Sequence, residues 1–122
     1  MPALYSETLL DHFRHPRNCG ALTDPDVSYE SLNPLCGDRI RLELKFENQT
    51  VTQAHFVGDG CAISIAAASL LTELILHKNT DFLQTISNEQ LIAALESDIK
   101  PARLQCAILA LEALRAALAA HT

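Results

Sequence analysis

Asn33-Pro34-Leu35-Cys36-Gly37-Asp38 and Gly58-Asp59-Gly60-Cys61 bracket the stretch whose reading decides the fold. Between them, Ile40-Arg41-Leu42-Glu43-Leu44-Lys45-Phe46 alternates apolar and polar residues, the signature of a half-buried strand; after Asn48-Gln49 a second extended run continues from Thr50 to Val57. The two runs read as one antiparallel hairpin. With Asn48-Gln49 as a two-residue turn, Glu47 faces Thr50, Asp38 faces Asp59 and Cys36 faces Cys61, so two thiols meet at the open end. Strand side chains alternate, so Cys36 and Asp38 share a face, and Cys36, Asp38 and Cys61 can converge in a geometry suited to a metal or to sulfur chemistry. The second run alternates imperfectly: Thr52, Ala54 and Phe56 form one face, while Val51 and Val57 fall on the other. A bulge there would slide the pairing by one residue and still leave both cysteines at the same end.

The chain around this hairpin has 122 residues, nearly half of them apolar, which is the size of one domain able to bury a core without metal or disulfide support. One domain, spanning 1–122, is expected. A net charge of −6, with no cluster of Lys and Arg, opposes a phosphate backbone and excludes nucleic acid as an expected partner. The opening residues lack a secretory pattern, and no apolar stretch is long enough to span a bilayer without polar interruption, so a cytoplasmic protein without membrane association is expected. In a reducing compartment the four cysteines read as free, metal-binding or catalytic; the alternative for Cys36 opposite Cys61 is a cross-strand disulfide.

Tyr5, Leu9 and Phe13 recur at helical spacing, predicting an amphipathic helix from Leu4 to about Phe13 that His15-Pro16 ends. His12 and His15 have spacing compatible with ligands, although helix-end histidines are more often solvated or capping. Cys19 lies in a turn, outside the hairpin logic, and Val27 to Ser31 reads as a first strand. After Cys61 the period changes to that of a largely buried helix, with Ile63, Ala67, Leu70, Leu71 and Leu74 as its main stripe and Cys61 nearly opposite it. Phe82, Leu83 and Ile86 mark a short helix, and Ser87-Asn88-Glu89-Gln90 looks like a capping box opening another. The last helix begins around Pro101 and runs to about Ala120, with Leu104, Ile108, Leu111, Leu114 and Leu118 as its core stripe. Cys106 falls off that stripe, on a face with Ala110, Ala113 and Ala117; the plain alternative to a ligand role is a small residue in a close helix contact.

Two thiolates, a carboxylate and a third cysteine form a donor set for zinc or iron, and Gly37, Gly58 and Gly60 would let the backbone approach a bound centre or adopt positive φ. Leu35-Cys36-Gly37-Asp38, the Gly58, Gly60, Cys61, Ser64 pattern, and Pro101-Ala102-Arg103 followed by Cys106 resemble the U-type iron-sulfur cluster assembly scaffolds, the family of IscU, SufU and NifU N-terminal domains. The opening Tyr5, Asp11-His12, Pro16-Arg17-Asn18 and Gly20 carry the same resemblance, which covers almost the whole chain. It implies an α+β, NifU/IscU-like fold, with a three-stranded antiparallel sheet packed by helices, and one site built from Cys36, Asp38, Cys61 and Cys106. It further implies a scaffold that accepts sulfur from a pyridoxal-phosphate (PLP) dependent cysteine desulfurase, assembles a [2Fe-2S] cluster and passes it to acceptor apoproteins. Zn2+ is the implied occupant of the isolated protein.

The wording of the motifs is nearer the SufU branch, which resembles zinc-dependent sulfurtransferases, yet the chain lacks the length for that branch's usual insertion between the second and third cysteines. Gln105 stands where IscU proteins carry a histidine before the third cysteine, and Ile99-Lys100-Pro101-Ala102-Arg103 replaces the peptide IscU proteins present to a chaperone. Three readings follow: a non-enzymatic cluster scaffold; a sulfurtransferase in which Cys106 attacks the desulfurase persulfide; and a zinc-stabilised adaptor without sulfur chemistry. Arg103, three residues before Cys106, is expected about one helical turn away, where a guanidinium favours thiolate over thiol.

Overall fold

The computed structural model describes residues 5–34 and 37–121. Leu35 and Cys36 lie outside the described residues, so the expected Cys36–Cys61 pairing cannot be compared with it. Chain order is α1 (Glu7–Arg14), β1 (Val27–Asn33), β2 (Asp38–Glu47), β3 (Thr50–Asp59), α2 (Ala62–Ile75), α3 (Thr80–Leu83), α4 (Asn88–Ala94), a 3-10 turn (Pro101–Arg103) and α5 (Leu104–His121). The strands form one antiparallel sheet in the order β1-β2-β3.

Asn48 and Gln49 both have positive φ, the conformation of a two-residue type I′ hairpin turn whose twist matches that of the flanking strands. Glu47 pairs with Thr50 and Phe46 with Val51, as the turn dictates, but Lys45 then pairs with Gln53. Thr52 is the extra residue of a β-bulge, and its hydroxyl donates to the Lys45 carbonyl at 3.2 Å. This corrects the imperfect alternation: Val51, Ala54 and Phe56 all face inward and are buried, together with Ile40, Leu42 and Leu44 of β2. It also corrects the register, since Arg39 and not Asp38 pairs with Asp59. β1 is longer than expected and reaches Asn33, which pairs with Asp38.

Helices α2 and α5 cover the inner face of the sheet, α5 against β1 and β2, α2 against β3, and α1 and α4 close over them. α2 is apolar around most of its circumference, and its Ala66, Ala67 and Ala68 let neighbouring elements approach closely. Its expected stripe is displaced: Leu74 is exposed, whereas Ile75 is fully buried. Leu104 is likewise exposed at the start of α5, while the Cys106, Ala110, Ala113, Ala117 face is buried alongside Ile108, Leu111, Leu114 and Leu118. Within Pro101–His121, the 18 residues of α5 have, by length and composition, the character of a membrane span, contrary to expectation, because Glu112 and Arg115 are too few to interrupt them. Half of this stretch is buried inside this fold, which accounts for its apolarity. The Ser87–Gln90 capping box opens α4 as expected.

Three hydroxyls of α2, on Ser64, Ser69 and Thr72, are buried. Ser69 Oγ accepts the Arg17 backbone N–H at 2.8 Å and lies 2.7 Å from His12 Nδ1; Thr72 Oγ1 accepts from Asn18 Nδ2 at 3.1 Å. With its lone pair engaged by Arg17, Ser69 can donate its proton to His12 Nδ1, leaving Nε2–H directed at Glu73, 3.5 Å away. His12 is therefore neither ligand nor solvated but a buried linchpin between α1 and α2. Asp11 pairs with Arg17, whose guanidinium holds that carboxyl below its ordinary range. The next residues bind the free edge of β3: Asn18 accepts from the Phe56 N–H, and Gly20, at φ +127°, donates to the Phe56 carbonyl. The opening motif is thus a structural clasp. His15 caps the end of α1.

Burial and the Arg17 charge push the His12 pKa below its ordinary value, against the opposing pull of Glu73 and Asp11. The unfolded chain then binds more protons than the folded one between the folded value and about 6.5, so this contribution to stability is complete above about pH 6.5 and is lost as pH falls through the folded value. We expect the melting temperature of the parent to fall more steeply below pH 6.5 than that of His12→Gln; parallel curves would show that His12 does not carry this dependence.

Candidate metal centre

Asp38 is the first residue of β2, Cys61 the N-cap of α2, and Cys106 lies in the first turn of α5. One donor atom from each, a carboxylate oxygen and two Sγ atoms, lies within 4.8 Å of the others. The edge of a tetrahedron built on 2.3 Å metal–sulfur bonds is about 3.8 Å, so the three donors stand within about 1 Å of the spacing a zinc-sized ion needs. Soft thiolates beside a carboxylate suit zinc or iron rather than calcium or magnesium. By the chemistry and spacing of its donors, this site fits such a metal.

Three local features build the convergence. The bulge at Thr52 advances the register by one residue and brings Asp38 beside Gly60. A Cβ on Gly60 would stand 2.2 Å from Ser64 Oγ and 3.1 Å from the carboxyl carbon of Asp38, so glycine is required there for the close approach. The φ of Gly60 is not positive; among the described glycines only Gly20 and Gly37 have that conformation. The start of α2 then presents Cys61, whose thiol is not spent on capping. Ser64, one turn on, donates to the Cys61 carbonyl at 3.0 Å and lies 3.8 Å from its Sγ. Finally, the 3-10 turn at Pro101 swings the start of α5 towards the sheet, where Asn33 Nδ2 points at Cys106 Sγ from 3.9 Å.

Burial grades across the site. Asp38 and Cys106 are 5% and 1% exposed, whereas Cys61 is only half-buried, so access is from the Cys61 side. Arg103 stands at that opening. Its pKa is raised, first by the charge of Cys61, then by its hydrogen bond and charge interaction with Cys106 and its hydrogen bond with Cys61. Both thiols lie at helix N-termini, where the macrodipole adds to the guanidinium in favouring anions.

The structure therefore brings together Asp38, Cys61, Cys106 and Arg103 of the sequence-derived set. Cys36 lies outside the described residues. Cys19 is exposed and bridged to Phe56, away from the cluster, and Gln105 is exposed. The three described cysteines are free thiols. Sequence reasoning passed over Asn33 and the part Ser64 takes. Both lie inside quoted motifs, but nothing in their spacing said that their polar atoms would turn towards sulfur.

Residues 4–122 match the family model of the NifU-like N-terminal domain. Among curated proteins, the chain is similar to a zinc-dependent sulfurtransferase SufU of Bacillus subtilis (strain 168), with 37% identity, covering 93% of this chain and 88% of that protein. It is also similar to the iron-sulfur cluster assembly scaffold protein IscU of Escherichia coli (strain K12), with 36% identity, covering 94% and 91%. Of solved structures, a putative iron-sulfur cluster assembly scaffold protein for the SUF system from Fervidobacterium islandicum AW-1 superposes with a TM-score of 0.81 at 24% identity, over 94% of this chain and 96% of that one. A nitrogen-fixing NifU-like N-terminal protein from Brucella abortus gives 0.81 at 18%, over 97% and 94%. These two likenesses concern the fold. The family model spans the described sheet, its covering helices and the converging thiols alike, and the chain belongs to the NifU-like N-terminal domain family.

Proposed function

We propose that this chain is an iron-sulfur cluster assembly scaffold, working as one domain in a reducing cytoplasm. The observation that carries the reading is the approach of Asp38, Cys61 and Cys106 to within 4.8 Å from three separate elements of a family fold. Cys36, two residues before Asp38 in the sequence, supplies the third thiolate in this proposal. A [2Fe-2S] cluster is the cargo, built from iron and from sulfur delivered by a PLP-dependent cysteine desulfurase, and acceptor apoproteins take it away. Zn2+ occupies the same donors when no cluster is present. Asp38 is the hard donor among soft ones, and we assign it the weak bond that lets the cargo leave. Arg103 offsets part of the anionic charge of the donor set and holds the thiols ready as thiolates.

A second reading, a zinc-dependent sulfurtransferase, is favoured by the exposed Gln105, which leaves the Cys-Asp-Cys-Cys set without a histidine. In it, Cys106 thiolate attacks the outer sulfur of the desulfurase persulfide; a new S–S bond forms at Cys106, the donor's S–S bond breaks, and the desulfurase cysteine departs as thiolate. Because Cys106 is only 1% exposed, that attack requires the Arg103 side of the site to open first. Against this reading, the alignment with the Bacillus sulfurtransferase runs over 131 residues, more than the 122 of this chain, so that protein has residues this one lacks; the alignment with the Escherichia coli scaffold runs over 119.

Anaerobic reconstitution with iron, cysteine and desulfurase, followed by ultraviolet-visible and Mössbauer spectra, tests the choice. We expect [2Fe-2S] signals in the parent and in Cys19→Ser, and their loss in Cys61→Ser and Cys106→Ser. Persulfide on the protein with no cluster signal would overturn the scaffold reading in favour of the sulfurtransferase.

Asp38→Ala is expected to retain its cluster longer than the parent in a transfer assay, without the fall in melting temperature that a purely turn-capping aspartate would cause.

Gly60→Ala should lower zinc affinity by about 10-fold or more, the scale of a lost supporting contact around a metal. Adding Ser64→Ala, which removes the atom nearest the new methyl, should restore part of it; no recovery in a zinc competition assay would place the damage elsewhere.

A further inference from the structure

A small open cleft of about 200 Å³ lies beside the thiols, lined by buried Ile63, half-buried Tyr5 and the exposed Asp98, Lys100 and Arg103. It is smaller than the roughly 300–1,000 Å³ of sites for drug-sized ligands, so its occupant is a molecule of a few heavy atoms. The walls are held by hydrogen bonds that no metal requires. Ser6, next to Tyr5, receives a bond at its hydroxyl from Leu9 N–H and donates to the Leu95 carbonyl at 2.6 Å, while its own N–H donates to Ser97 Oγ at 2.6 Å. Thr8 donates to Glu96 at 3.1 Å, so the start of α1 is stitched to the segment that carries Asp98 and Lys100. Buried Ile99, between those two charges, anchors the same segment in the core. On the other side Ile63 is fixed in α2, two residues after Cys61.

The chemistry of the lining selects a class of ligand. Lys100 and Arg103 offer donors to a carboxylate, and Asp98 offers an acceptor to an ammonium, on an otherwise apolar floor of Tyr5 and Ile63. Arg103 is the wall shared with the metal centre, since its charge also interacts with Cys61 and Cys106. We infer that this cleft binds a free α-amino-acid thiol, such as L-cysteine, holding its carboxylate and ammonium so that its thiolate, the proton released to solvent and the C–S bond intact, is placed as a further donor to a metal held at Cys61 and Cys106. The inference deepens the functional reading above and rests on it for the metal that the thiolate reaches. The binding of the zwitterion rests only on the cleft.

Isothermal titration under anaerobic conditions, on metal-free and on zinc-loaded protein, separates the two. L-cysteine should bind both forms, and cysteamine, lacking the carboxylate, and 3-mercaptopropionate, lacking the ammonium, should each bind about tenfold more weakly, the loss of one charge-assisted hydrogen bond. The crossed variants give the specific signature: Lys100→Met should weaken L-cysteine and leave cysteamine unchanged, while Asp98→Asn should weaken L-cysteine and leave 3-mercaptopropionate unchanged. Equal binding of all three thiols, absence of binding, or absence of the crossed pattern would overturn the proposal. L-serine should match L-cysteine on metal-free protein and fall behind it on zinc-loaded protein; equality on the zinc-loaded form would overturn coordination of the thiolate to the centre. Failure of cluster reconstitution would overturn the functional reading by itself, and the crossed pattern on metal-free protein still decides the cleft.

Discussion

The burial of α2 is the constraint on which the other elements depend. It runs behind β3, touches α1, α4, α5 and β2, and has almost no face left for water. Small side chains at Ala66, Ala67 and Ala68 permit that crowding, because a larger residue at any of them would force its neighbours apart in an interior already packed like a solid. Fixing α2 also fixes its first residue and the cysteine that caps it. The position of Cys61 is therefore a consequence of core packing, which suits a site that must keep its donors a few ångströms apart while its cargo comes and goes.

Crowding of this kind creates polar liabilities, and the structure resolves them locally. Ser69 and Thr72 are fully buried hydroxyls that would each cost on the order of 1–3 kcal/mol without partners. His12, Arg17 and Asn18 supply those partners, and the same segment goes on to close the edge of β3. The opening motif looks chemical in sequence because it is rich in Asp, His, Arg and Asn. Its role is to let a helix carry hydroxyls into the core and to bind α1 onto it. On the outer face of the sheet, buried Glu43 is met in the same way, by the Leu22 N–H at 2.7 Å and by Arg41 at 3.1 Å.

The metal centre draws on three pieces of secondary structure whose relative placement is set far from it. The bulge at Thr52 lies at the opposite end of the hairpin from Asp38, yet the one-residue advance it introduces moves the carboxylate from beside Asp59 to beside Gly60. A sheet transmits such a shift along its whole length because the ladder allows only whole-residue steps. α5 arrives from the far end of the chain, and its Ala110, Ala113 and Ala117 face brings Cys106 close enough for Asn33 and Arg103 to reach the sulfur. The small-residue face read as the plain alternative for Cys106 is what makes the ligand geometry available; the two readings of that cysteine describe one arrangement.

Local rules were sufficient for much of this. The Asn48-Gln49 turn, the alternation of β2 and the Ser87–Gln90 capping box each act over a few residues and are present as read; the helix after Cys61 is present too, with its stripe displaced and its end at Ile75. The short motifs around Cys61 and Cys106 also carried the family, and with it the expectation that distant thiols meet. Tertiary structure alone decided the rest. A bulge is chosen by which side chains the core accepts, so the inward turn of Val51 required α2 and α5 to be in place. The exposure of Leu74 and Leu104 depended on where neighbouring helices stop, which no periodicity records. His12 became a buried hydrogen-bonding residue because Ser69 and Glu73 lie opposite it, 57 and 61 positions along the chain. Sequence determines which residues can act over the span of a turn or a hairpin; the distances between donor atoms from separate elements are set by packing, because only the closed core fixes where those elements meet.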